Sequence, residues 1–233
     1  GTTCIMPDIE KINNVAVASI SKLDSITFAH GQKVNNQSVS LVPADAHVLI
    51  STPLSITTSD SAVSDITITS GLDATYDVYE FVFTNLHPAS NGVALQFQVN
   101  DSGDEGGGYD ESPITSTHWQ LYHNEADTDS NINYSGGNDA AQSTGFVNLF
   151  QGLVYGDDSS GSGTFTLYAP SSTTYVKHWS GSFSFHNSDP HYTTGAYTAG
   201  YINDATAITQ IRFKFSSGNI DAGELKMYGL YKA

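Results

Sequence analysis

The chain carries 24 carboxylates and eight histidines against 8 basic side chains, so metal binding and acid–base chemistry are tested first. The stretch DTDSNINYSGGN sets Asp127, Asp129 and Asn131 at the first, third and fifth places of a calcium loop. Ile132 then stands where the turn needs glycine, and Asn138 where a bidentate glutamate belongs, so this is not an EF-hand. A second acidic stretch, NDSGDEGGGYDE, offers Asp101, Asp104, Glu105 and Asp110 as hard oxygen ligands, and a solvated loop accounts for it equally well. No cofactor is expected: calcium suits that loop chemically, but no complete motif supports it. On a strand, His118 and His123 point to opposite faces and cannot chelate together. His178, His186 and His191 fall in one strand–turn region where they could converge, without the cysteine or carboxylate spacing of a metal site, so structural or surface roles are expected.

Nucleophilic chemistry fares no better. There is no G-x-S-x-G elbow; the Gly161-Ser162-Gly163 triplet is expected in a low-complexity turn, and no phosphate loop occurs. Two carboxylates for glycoside cleavage need only meet in space, and with so many acids that pattern carries little information. The sequence therefore reads as a non-enzyme. Trp119, Tyr122, Trp179 and Tyr192 have the ring faces of a sugar-stacking platform, although core packing is the usual destination of such residues.

The elements that would position these side chains are strands. In DVYEFVFTNL, Tyr79, Phe81 and Phe83 share a face; in GVALQFQVN, Val93, Leu95, Phe97 and Val99 do; and HWQLYHN groups Trp119, Leu121 and His123. Ile211, Phe213 and Phe215 oppose Arg212 and Lys214 in the same way. Loops rich in Gly, Asn and Asp separate these runs. About eight strands with long loops predict an all-β fold, an antiparallel two-sheet sandwich of jelly-roll type, over residues 62–233. Residues 1–61 form a separate attachment arm, extended or of small β character. There Val15, Val17, Ile20, Ile26 and Phe28 follow period two, not 3.6.

Composition narrows the partners. The formal charge is −16, and no Lys or Arg occurs between Lys33 and Lys177, which disfavours nucleic acid and anionic membranes. No apolar run approaches the roughly 20 residues of a membrane span. Cys4 is the single cysteine, so either a free thiol or a bridge to another copy is open to it.

Four segments, at 66–100, 116–149, 160–187 and 199–230, resemble in order a virion-protein domain of marine tailed bacteriophages. The resemblance implies a structural, surface-exposed part of the particle: a tail appendage, fibre or capsid decoration. It further implies synthesis in the host cytoplasm, residence on the virion exterior, and other virion proteins and copies of itself as partners. The alternative function is a carbohydrate-binding module for host surface glycans, and a receptor-binding appendage is both. The arm fits this setting. Lys11-Ile12-Asn13-Asn14-Val15 is answered by Lys22-Leu23-Asp24-Ser25-Ile26, a degenerate 11-residue repeat similar to the short Lys-Ile-Asn-x-Val repeats ahead of surface domains in phage tail and capsid proteins. A short alternating segment is stable when it adds to a neighbouring sheet edge. Ile12, Val15, Val17, Ile20, Leu23, Ile26 and Phe28 are therefore the expected anchor to a partner chain.

Overall fold

A computed structural model describes residues 11–12, 15–16, 33–34, 37–38, 47–50, 54–56, 62–102, 109, 112–156, 158–187 and 191–231. The chain forms two compact units, Gly1–Ala46 and His47–Ala233. In the first, β1 (Lys11–Ile12) pairs antiparallel with β2 (Val15–Ala16), which sets Ile12 opposite Val15. A second short pair joins β3 (Lys33–Val34) and β4 (Gln37–Ser38). Cys4 and the remaining anchor candidates, Val17, Ile20, Leu23, Ile26 and Phe28, lie outside the described residues.

The second unit is all-β, with no helix among its described residues and every strand pairing antiparallel. One curled sheet folds into two layers. The first layer runs, neighbour to neighbour, through β18 (Ile220–Tyr231), β8 (Tyr76–Pro88), β14 (Gly161–Tyr168), β15 (Lys177–Asn187), β16 (Tyr192–Ile202), β10 (Ile114–Asn124) and β11 (Ser130–Tyr134). The second runs through β13 (Val147–Leu153), β9 (Val93–Asp101), β17 (Ile208–Phe215) and β7 (Ile66–Ile68), and joins the first where Leu153 meets Asn187. Three short strands complete the sheet. β5 (His47–Leu49) and β6 (Leu54–Ile56), from the stretch read as arm, pair with β18, and β12 (Ala140–Ser143) pairs with β10.

The alternating aromatic residues meet between the layers. Phe81 and Phe83 from β8 stand 5.4 and 5.0 Å from the Phe213 ring of β17, and Phe97 of β9 lies 4.8 Å from both Phe165 and Trp179. Each such ring, fully buried, contributes roughly 1.5–3 kcal/mol of burial, which makes this cluster the principal source of stability.

Two corrections concern the strands. Residues 62–231 hold the strands β7 to β18, more than the eight expected, partly because β11 and β12 arise in a stretch read as loop. All five residues of β11 are exposed, so the strand has no apolar face to reveal it in the sequence. In β8 the alternation breaks after Phe83. Asn85 adopts a positive φ of 50°, the register slips opposite β14, and Leu86 replaces the expected phase on the core side.

Candidate functional site

The outer face of the first layer is where exposed aromatic residues collect. Trp119, Leu121 and His123 share one face of β10, as their spacing required, and that face turns outward. Register supplies their neighbours: Trp119 opposes Tyr134 of β11 on one side and Tyr197 of β16 on the other, and Leu121 lies between Ile132 and Gly195. The Trp119 and Tyr197 rings stack at 4.5 Å with 17° between their planes, while Trp119 stays 40% and Tyr134 58% exposed. The Tyr134 hydroxyl donates to Asp139 at 2.5 Å; this bond, with smaller help from desolvation, keeps its proton on to higher pH than usual.

A groove of about 530 Å³ opens beside this row. Leu121 and Tyr197 form its wall, and the short hydroxyls of Ser162, Thr164, Ser182 and Ser184 form its floor. Gly195 leaves the groove open: a Cβ there would take up space in ordinary contact with Leu121 Cγ at 3.4 Å and a Tyr197 ring carbon at 3.5 Å. Through Ser162, Ser184 and Thr193 the groove continues into a second hollow of about 540 Å³, bounded by His123, Glu125, His186 and Tyr192. Apolar ring faces beside a row of small hydroxyls suit a ligand with C–H faces and many hydroxyl groups.

The four expected platform residues do not converge. Trp119 sits in the exposed row beside the groove, and Tyr192 reaches only the edge of the adjoining hollow. Trp179 is a correction: it is 1% exposed, packed edge-on to Phe97 and stacked on Phe165, so it belongs to the core and cannot meet a ligand. Tyr122 and Tyr192 meet edge-to-face at 5.2 Å, but in the register of β10 and β16 they share the opposite parity from Trp119. The Tyr192 hydroxyl donates to Asp129 at 2.8 Å. Tyr197 and Tyr134 escaped sequence reading because only cross-strand register places them beside Trp119.

The histidines divide in the same way. His186 and His191 stack with Nε2 and Nδ1 3.1 Å apart, and His186 Nδ1 meets the Ser159 hydroxyl at 2.7 Å. His178 stands apart beside Tyr201. A hydroxyl–imidazole contact is the beginning of an activated nucleophile, but Ser159 is 3% exposed and enclosed, so the contact orients His186 in the wall of the hollow. His118 is fully buried with neither ring nitrogen hydrogen-bonded. Burial pushes its pKa below the usual value, against a weaker upward pull from Asp139.

Among the described residues, no three His, Cys, Asp or Glu side chains gather around a metal position. The side chains of DTDSNINYSGGN go separate ways: Asp127 meets His123, Asp129 accepts from Tyr192, and the Asn131 side chain accepts the Ile132 amide. Of the second acidic stretch, Asp101 is described and Asp104, Glu105 and Asp110 are not. Asp101 and Asp204 share the Ser112 hydroxyl, and the buried Lys177 ammonium donates to the carbonyls of Asp204 and Thr206. An internal ammonium thus ties down the β16–β17 connection. Burial lowers the pKa of Lys177, opposed by the charges of Asp204 and Asp101.

Comparison of the chain with protein family models, curated proteins and solved structures gave no match. The chemistry of the open face therefore carries the functional reading.

Proposed function

We propose that this chain is a non-enzymatic, outward-facing component of a tailed-phage particle whose open sheet face holds carbohydrate of the host surface. The virion setting rests on the sequence resemblance. The binding role rests on one observation, the exposed Trp119–Tyr197 stack with Tyr134 in the same row, bordering a hydroxyl-floored groove. A purely structural part would bury such rings, against its own chain or against a neighbouring one.

A panel of host envelope polysaccharides, tested by affinity electrophoresis, decides between them. At least one glycan class should retard the protein, and Trp119→Ala and Tyr197→Ala should each abolish the retardation without unfolding it. Retardation unchanged in both variants, or none by any glycan, overturns the binding role. Release of new reducing ends from a retained glycan would make the protein an enzyme.

The first compact unit acts as the anchor in this reading, with Ile12 in register with Val15 in a two-strand pair that is too short to be stable alone. Deleting residues 1–46 should leave a cooperatively folding sandwich that no longer joins a particle or oligomer. Normal assembly of the truncated protein would exclude the anchor.

A further inference from the structure

The outer face of the second layer holds a different site. Arg212 and Lys214, two places apart on β17, share that face and pack on one ring: Arg212 Cζ lies 4.7 Å and Lys214 Nζ 4.4 Å from the Phe146 centroid. The Arg212 guanidinium also lies over the Tyr109 ring, 4.2 Å from its centroid. Holding two like charges side by side is unfavourable unless something neutralises them. Yet among the described residues neither forms an ion pair, in a chain with 24 acidic side chains. One Arg212 nitrogen donates to Gln98 Oε1 at 2.6 Å, which fixes the fork without neutralising it.

Both cations line a pocket of about 300 Å³ with Asp65, Ser216 and the turn at Gly218. Asp65 is already engaged, with one oxygen accepting from Thr67 and the other from Ser64. The Thr67 bond is the main influence holding its pKa low, and the charges of Arg212 and Lys214 add to it. Ser216 Oγ accepts the Ala94 amide, so its own proton is free to point into the pocket.

We propose that this pocket is an oxyanion site that takes a singly charged group, a carboxylate or a sulfate ester, between Arg212 and Lys214. Among the described residues, two positive charges face the one negative charge of Asp65, a single net positive charge that matches a monoanion better than a dianionic phosphate. A planar guanidinium beside an ammonium also suits an oxyanion with two or three acceptor oxygens. The site lies on the opposite layer from the aromatic groove and does not depend on the groove binding sugar.

Titration of the ¹⁵N-labelled full chain with acetate, methyl sulfate and inorganic phosphate, each against matched sodium chloride, tests this by NMR. Acetate or methyl sulfate should give saturable shifts in the Ser216–Gly218 amides, and Lys214→Gln should weaken that binding at least fivefold with the rest of the spectrum unchanged. Lys214 is the variant of choice because Arg212 packs on two rings and holds Gln98, so its replacement risks the fold. A response to acetate and not methyl sulfate assigns the ligand as carboxylate, and the reverse assigns it as sulfate ester. No shift beyond the chloride control, or equal binding by Lys214→Gln, overturns the site. Phosphate binding tenfold tighter than both monoanions overturns the charge assignment.

Discussion

The dipeptide His-Trp occurs twice, at 118–119 in β10 and at 178–179 in β15, and the two copies are turned inside out. In the first the histidine is fully buried and the tryptophan exposed; in the second the histidine is exposed and the tryptophan buried. Both strands flank β16, so the difference lies in what β16 sets opposite each. Trp179 opposes Gly200, where a Cβ would come within 2.8 Å of the indole, so the glycine makes room for a ring inside. Trp119 opposes Tyr197, a ring too large to yield space, and the two stack outside. The face an aromatic residue takes in this sheet follows the alternation of its strand, and its cross-strand partner decides how the ring is accommodated there.

The largest test exchanges the tryptophans one at a time. Trp179→Ala should cost about 3–5 kcal/mol in urea unfolding, the range for removing a large buried ring. Trp119→Ala should cost less than about 1 kcal/mol, as exposed substitutions do, while removing glycan retention. Comparable losses from both would mean the open face is covered in the folded protein.

Next comes Lys177, beside the inward-turned copy and itself buried. Lys177→Met removes two donors and leaves the Asp204 and Thr206 carbonyls unpaired; a loss of about 3 kcal/mol is expected from equilibrium unfolding. A neutral result would show that water replaces the ammonium.

The two glycines of β16 sharpen the contrast. Gly200→Ala should cost about 1–3 kcal/mol, because its Cβ would meet the Trp179 ring and the Thr115 carbonyl oxygen, the latter at 2.3 Å. Gly195→Val should stay within about 1 kcal/mol of wild type, yet fill the groove between Leu121 and Tyr197 and block glycan. Retained binding in Gly195→Val would move the ligand off that groove.

The smallest effect is in pH dependence, where two buried or half-buried histidines pull in opposite directions. Burial holds His118 below its unfolded value of 6.5, so the unfolded chain takes up more protons and stability is lost as pH falls through that value. For His87, burial alone would lower the pKa, but the bond to Asp221 at 2.6 Å, with that of the Gly156 carbonyl, raises it overall. Its contribution is full below the unfolded 6.5 and is lost as pH rises through the raised value. His118→Leu should therefore lift the urea midpoint at about pH 5 relative to about pH 8, and His87→Gln should do the reverse.

Period-two alternation made most of the core legible. Tyr79, Phe81 and Phe83, the odd residues of Val93–Val99, and Ile211, Phe213 and Phe215 all point inward as their spacing required. The same rule put Gln98 on the side away from the core, yet it is buried: its amide donates to the Thr144 carbonyl and its oxygen accepts from Arg212, which itself lies over the Phe146 and Tyr109 rings. For the candidate site, alternation grouped Trp119, Leu121 and His123 correctly. It could not say which face of β10 turns outward, since that depends on where β16 and β11 pair, and pairing between distant segments leaves no local trace. The same gap hid Tyr134, Tyr197 and the inward turn of Trp179.

The pairing of β8 with β18 has a consequence for how the protein is made. Leu225 and Met227 sit opposite Phe83 and Phe81, so these rings wait for a strand that leaves the ribosome long after their own. At typical translation speeds the delay is on the order of 10 s, a long exposure for an aromatic strand. Contacts between such distant segments also make for slow folding. A nascent chain stalled before residue 220 should therefore remain open to chaperones, and its capture should end abruptly once β18 emerges.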